Sequence, residues 1–72
     1  MDRVHPLKTY RSEASMTQQQ LAELLGVTRT TVARWEAGAR VPDVVLLDEI
    51  AAKTGIPARE LRPDLAKILG GQ

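Results

Sequence analysis

The stretch that decides the fold is residues 17–38, TQQQLAELLGVTRTTVARWEAG. Thr17, followed three residues on by Gln20, has the form of a capping box, in which hydroxyl and amide satisfy orphan N–H groups reciprocally. Met16 and Leu21 flank that start as a hydrophobic staple. A helix capped at Thr17 is expected to run to Leu25, because Gly26 is a natural left-handed stop. Thr28 then repeats the device as an N-cap, with Val27 and Val32 as a second staple. Gly38 ends this next helix after Ala37.

Two short helices joined by a three-to-four-residue turn containing Gly follow the helix-turn-helix plan. That geometry demands apolar residues where the helices touch, a small residue where their backbones approach, and Gly at the turn. Leu21, Leu25, Val27, Val32 and Trp35 supply the contact surface, Ala22 the small residue, and Gly26 the turn. Any one of these alone carries nothing. Together, at fixed spacing, they set the segment apart from an αα-hairpin of some unrelated helical domain.

Helical geometry says which side of the second helix is free. At about 100° per residue, Val32 and Trp35 define the inward side, so Trp35 reads as core and not as a stacking aromatic. Thr30, Ala33, Arg34 and Ala37 point away, with Arg29 on the flank. Arginine pairs bidentately with guanine, and threonine can hydrogen-bond a base or pack on a thymine methyl. Base contacts come mainly from the N-terminal part of such a helix. Arg29, Thr30 and Arg34 are therefore the candidate base-reading residues, with Thr28 and Thr31 contributing to bases or phosphates.

Gln18 occupies the first position of the earlier helix, where backbone N–H groups and the positive dipole end favour a phosphate. Gln19 shares that end as a phosphate candidate, while Gln20 completes the cap. Arg40, just beyond the motif, is a candidate phosphate clamp, with Lys8 or Arg11 as others. Double-stranded DNA is the partner these residues imply.

The run from Thr17-Gln18 through Leu25-Gly26-Val27-Thr28, followed by Val32 and Trp35-Glu36-Ala37-Gly38, resembles the phage-repressor and Cro-like helix-turn-helix family, also called XRE-type. The likeness extends from about Leu7 to Ile56. It implies an all-α, compact bundle of four to five short helices, the lambda-repressor-like DNA-binding domain, with the helix Thr28–Ala37 in the major groove. It implies that the residue matching Gln18 touches the DNA backbone. It also implies that Arg11 forms a partly buried ion pair with Glu36, which lies on the flank of the buried side.

Glu60-Leu61-Arg62-Pro63-Asp64-Leu65, with His5-Pro6-Leu7, is similar to the YdaS-like branch of that family, whose members are Cro-like regulators or antitoxins. The functional expectation is a sequence-specific transcriptional regulator of the repressor or Cro-like kind. The alternative is an antitoxin that binds DNA and also a toxin protein. A helical protein-interaction module without DNA binding is a further reading, against which Arg29, Arg34 and Arg40 speak.

Around the motif, a first helix is expected from Pro6, which suits the N1 position, to about Ala14. Leu7, Tyr10 and Ala14 share one side of it, and His5 reads as an exposed residue before it. After the loop Ala39–Pro42, Asp43 reads as the cap of a helix through Thr54 that stops at Gly55. Val44, Leu47, Ile50 and Ala51 share its inner face, which leaves Val45 and Leu46 pointing elsewhere. Short turns of helix follow Pro57 and Pro63, and residues 70–72 read as a frayed end.

Leu61, Leu65, Ile68 and Leu69 form an apolar stripe that either completes the core or makes a dimer surface. A two-fold dimer reads two half-sites about 34 Å apart, so a homodimer is expected at least on DNA.

Composition bounds the rest. Seventy-two residues make one domain, residues 1–72, with a small core. The chain has no cysteine and one histidine, so neither disulfides nor the usual metal sites are expected. No cofactor or small-molecule ligand is evident. No stretch approaches the roughly 20 apolar residues of a membrane span, and the N-terminus lacks a signal peptide's apolar core, which points to the cytoplasm. Tyr10 and Trp35 are the only aromatics, too few for a platform that stacks single-stranded bases.

The net charge is +1, and its positive side lies in residues 1–40, which hold six Lys/Arg against four Asp/Glu. This asymmetry is mild but fits a small DNA footprint. An enzyme is not expected: there is no nucleophile–base pairing, phosphate-cradling Gly loop or recognisable carboxylate pair.

Overall fold

Each described helix follows a residue in the β or polyproline region, and three of the five end at a left-handed glycine. The computed structural model describes residues 4–65. Five α-helices and a final 3-10 turn form in order: α1 (Pro6–Glu13), α2 (Gln18–Leu25), α3 (Arg29–Ala37), α4 (Val44–Thr54), α5 (Ala58–Leu61) and the turn Pro63–Leu65. No strand occurs among the described residues. The all-α bundle of short helices expected from the sequence is the observed architecture. No helix among the described residues is long and apolar enough to cross a membrane.

The caps around the motif form as written in the sequence. Thr17 Oγ1 accepts from Gln20 N at 3.0 Å, and Gln20 Oε1 accepts from Thr17 N at 2.8 Å, closing the capping box. Thr28 Oγ1 accepts from Thr31 N at 3.2 Å and starts α3. Gly26 sits at φ 73 and Gly38 at φ 79, left-handed conformations that other residues enter only at a steric cost. After Gly38, Ala39 N donates to Arg34 O at 3.0 Å and Gly38 N to Trp35 O at 3.1 Å, the paired bonds of a Schellman turn.

The same pair closes α1 without a glycine. Met16 N donates to Arg11 O at 2.8 Å and Ser15 N to Ser12 O at 3.2 Å, with Ser15 at φ 56. Serine thus bears the left-handed strain that glycine avoids at Gly26, Gly38 and Gly55.

One residue set from all five helices makes the core: Leu7, Leu21, Ala22, Leu25, Val32, Trp35, Leu47, Ile50 and Leu61. α2 packs chiefly on α3 and also on α4, while α1 reaches α3 and α5. Full burial of a leucine contributes about 1.5–3 kcal/mol, so this short list carries most of the fold's hydrophobic stabilisation.

Several local expectations are corrected. His5 is half-buried, not exposed: it is the N-cap of α1, and its Nδ1 accepts from Leu7 N at 3.1 Å. Asp43 occupies the N-cap position of α4, but its side chain makes no capping bond. Val44, expected on the inner face of α4, is 58% exposed. Leu46, expected to point elsewhere, packs against the core. The inner face is therefore carried by Leu46, Leu47 and Ile50, because the rotation of α4 against its neighbours turns Val44 to solvent.

Of the C-terminal stripe, Leu61 is core and Leu65 packs against it, so neither is a free surface. Ile68, Leu69 and the frayed end expected at residues 70–72 lie outside the described residues.

Candidate nucleic-acid interface

The outward side of α3 is assembled by burying its inward side. Val32 is fully buried and Trp35 nearly so, which fixes the helix rotation to within one residue's arc. Arg29, Thr30, Arg34 and Ala37 are then exposed, and Ala33 is half-covered at the margin. Arg29, Thr30 and Arg34 therefore share one solvent-facing ridge. The Schellman turn folds the chain back over the end of α3, with Arg40 N donating to Arg34 O at 3.3 Å. This brings Arg40 to the foot of the same ridge, where both arginines line one shallow hollow with Thr31, Val41 and Asp43.

Ion pairs among the described residues join Arg11 to Glu36, Lys53 to Glu49 and Arg62 to Asp64. None of them involves Arg29, Arg34 or Arg40, so among the described residues these three guanidinium groups have no carboxylate partner.

The threonines divide differently. Thr30 is exposed, but the hydroxyls of Thr28 and Thr31 lie 2.9 Å apart in a mutual hydrogen bond. Both serve the start of α3 first. Gln19 is exposed at the start of α2, and its Nε2 donates to Glu23 Oε2 at 3.1 Å. Gln18 turns inward instead: its Nε2 donates to Glu36 Oε1 at 3.1 Å. The side chain expected to face a phosphate is thus tied to the helix that bears the arginines.

Glu36 is the hub beneath this face. Arg11 Nε donates to Glu36 Oε2 and Arg11 Nη2 to Glu36 Oε1, both at 2.9 Å, a bidentate pair. Arg11 Nη1 also donates to Met16 O at 3.3 Å. Burial alone would push the Glu36 carboxyl up. The hydrogen bonds from Arg11 and Gln18, with the charges of Arg11 and His5, outweigh it and hold Glu36 below the ordinary carboxylate range. The hydrogen bond to Glu36 raises Arg11 in turn. An acid is accommodated this close to the arginine face because its charge is consumed from below.

Two anchors were not legible in the sequence. Lys53 Nζ, on α4, donates to Leu24 O at 3.1 Å and so caps the end of α2. Arg62 Nη1 donates to Pro42 O at 2.7 Å, while its Nε and Nη2 grip Asp64 at 3.0 and 2.9 Å. Both bonds end on backbone carbonyls, which no residue pattern announces. No group of three or more potential metal ligands occurs among the described residues.

Comparison with known proteins agrees with this geometry. Residues 7–61 match the family described as Helix-turn-helix. The chain is 39% identical over 49 residues to an HTH-type transcriptional regulator of Methanothermobacter thermautotrophicus, covering 68% of this chain and 71% of that one. It is 36% identical over 55 residues to the HTH-type transcriptional activator BcrR of Enterococcus faecalis, covering 76% of this chain and 27% of the relative. It is also 40% identical over 45 residues to the HTH-type transcriptional regulator YqaE of Bacillus subtilis, covering 62% of this chain and 39% of that one. The chain thus spans well under half of two of these three relatives. No solved structure matches it.

Proposed function

The chain belongs to the helix-turn-helix family, and from that premise we propose that it regulates transcription by binding duplex DNA sequence-specifically through α3. The observation that carries this reading is the single ridge of Arg29, Thr30 and Arg34 on a helix whose opposite side is locked into the core. A helix in the major groove reads sequence only if its rotation is fixed, and Val32, Trp35 and the Arg11–Glu36 pair fix it. The relatives, named as transcriptional regulators, support the same role.

In this reading Arg29, Thr30 and Arg34 meet base edges, and Arg40 and Gln19 meet the phosphates on either side. Thr28 and Thr31 set the helix start and reach the backbone nearest it. Gln18 acts through Glu36, holding the start of α2 against α3. Two copies on a two-fold site give the reach that one helix lacks. Occupancy of such a site blocks a promoter, the action of a repressor.

Selection of bound duplexes from a random-sequence library tests this directly. Enrichment of a palindrome with half-sites about one helical turn apart supports the reading. A chain that binds no duplex at low salt, or binds all sequences alike, refutes it.

A further inference from the structure

An aspartate at an N-cap ordinarily turns its carboxylate onto the first N–H groups of its helix. Asp43 has the backbone for this, at φ −64 and ψ 148, yet makes no such bond, whereas Thr17 and Thr28 both cap their helices. Asp43 instead lines the hollow it shares with Thr31, Arg34 and Arg40, and it is the one acid among the residues lining that hollow; its charge is also felt by Arg62.

The position is also fixed. Asp43 follows Pro42, which is fully buried and whose carbonyl is held by Arg62 at 2.7 Å. The backbone at Asp43 is thereby held at the edge of the hollow. Against a net charge of +1, one carboxylate on the proposed DNA face is a large fraction of the field that a duplex meets.

We propose that Asp43 is an electrostatic brake on DNA binding, a built-in charge that lowers the affinity of the α3 face for any duplex. This rests on the reading of α3 as the DNA-facing helix. In the complex a carboxylate beside the hollow faces the same phosphates that Arg34 and Arg40 approach, and its charge opposes binding. The brake acts on all sequences because it reads charge and not base identity. A face carrying three unpaired arginines is thereby kept from adhering to DNA in general.

Anisotropy titration of a random-sequence duplex over a range of salt tests the idea, comparing the parent chain with Asp43→Asn, Asp43→Ser and Asp43→Glu. Asparagine and serine keep the N-cap preference, so melting temperatures should stay close to the parent's. Both should tighten binding about 3- to 10-fold at low salt, with the gain shrinking as salt screens it. Asp43→Glu, which keeps the charge, should stay within about twofold of the parent.

Neutral variants that bind no tighter than the parent, or a gain that persists undiminished at high salt, would overturn the brake. A parent chain that binds no duplex at any salt refutes the DNA reading itself, which is a separate outcome.

Discussion

Glu36 accepts two parallel hydrogen bonds from Arg11, from Nε and Nη2 each at 2.9 Å, across the gap between α1 and α3. The Glu36 side chain is 5% exposed and that of Arg11 18%. Removing the carboxylate leaves a guanidinium and the Gln18 amide without their acceptor in a half-buried site.

Glu36→Ala should therefore cost about 2–4 kcal/mol, somewhat under the range for a fully buried pair because Arg11 keeps some water. A domain of this size holds about 4–11 kcal/mol in all, so the loss is severe. Glu23→Ala, which removes only an exposed bond to Gln19, should stay within about 0.5 kcal/mol. Urea unfolding of both variants makes the comparison, and equal effects would dismiss the role given to the pair.

His5 makes the fold sensitive to mild acid. Burial holds its imidazole below the ordinary value, with the Glu36 carboxylate opposing in part. The unfolded chain then takes the proton first, at about 6.5, so stability falls as pH drops through and below that value. A proton on Nδ1 also removes the acceptor that Leu7 N uses. Glu36 enters only at lower pH, since its depressed carboxyl keeps its contribution until the pH falls through its folded value. His5→Asn retains a capping acceptor that does not titrate. It should flatten the loss of melting temperature between pH 7.5 and 5.5; an unchanged slope would assign the effect elsewhere.

The arginines should separate by role. Arg34→Ala should cost about 1–3 kcal/mol on a selected site and relax the preference at one base position. Arg40→Ala should weaken every duplex alike and reduce the salt slope by about one. Competitive anisotropy with single-base variants distinguishes them. Selectivity left intact by Arg34→Ala would rule out α3 as the reading element.

Ser15→Gly should stabilise the chain. The left-handed φ of 56 at Ser15 costs a non-glycine residue about 1 kcal/mol, and the added freedom of glycine in the unfolded chain returns part of it. The net gain of about 0.5 kcal/mol corresponds to a rise of roughly 2–4 °C in melting temperature. A lower melting temperature would mean that the serine hydroxyl, not the backbone, governs this turn.

What the sequence announced and what it hid follow one physical division. Thr17, Gln20, Gly26, Thr28 and Gly38 act within four residues of themselves, through local bonds and dihedral preferences, so their effect could be read in place. The five contact positions of the motif were legible because helical period alone decides which side Val32 and Trp35 occupy. Val44 and Leu46 were misread because the angle at which α4 crosses its neighbours is a tertiary quantity that periodicity does not contain. His5 went unrecognised because histidine seldom caps, though its place just before a proline at N1 was the available signal. Lys53 and Arg62 reach carbonyls 29 and 20 residues away, and no residue type marks a carbonyl as a target.

The Lys53 bond to Leu24 O has a consequence for engineering. Residues 17–38 look like a cassette that could be moved whole into another scaffold. Yet the last turn of α2 is closed by a lysine from α4, and the carboxylate of Glu36 is neutralised by an arginine from α1. A transplanted cassette would arrive with an open helix end and an orphan acid beneath its arginine face. The motif is portable only together with the two helices that embrace it.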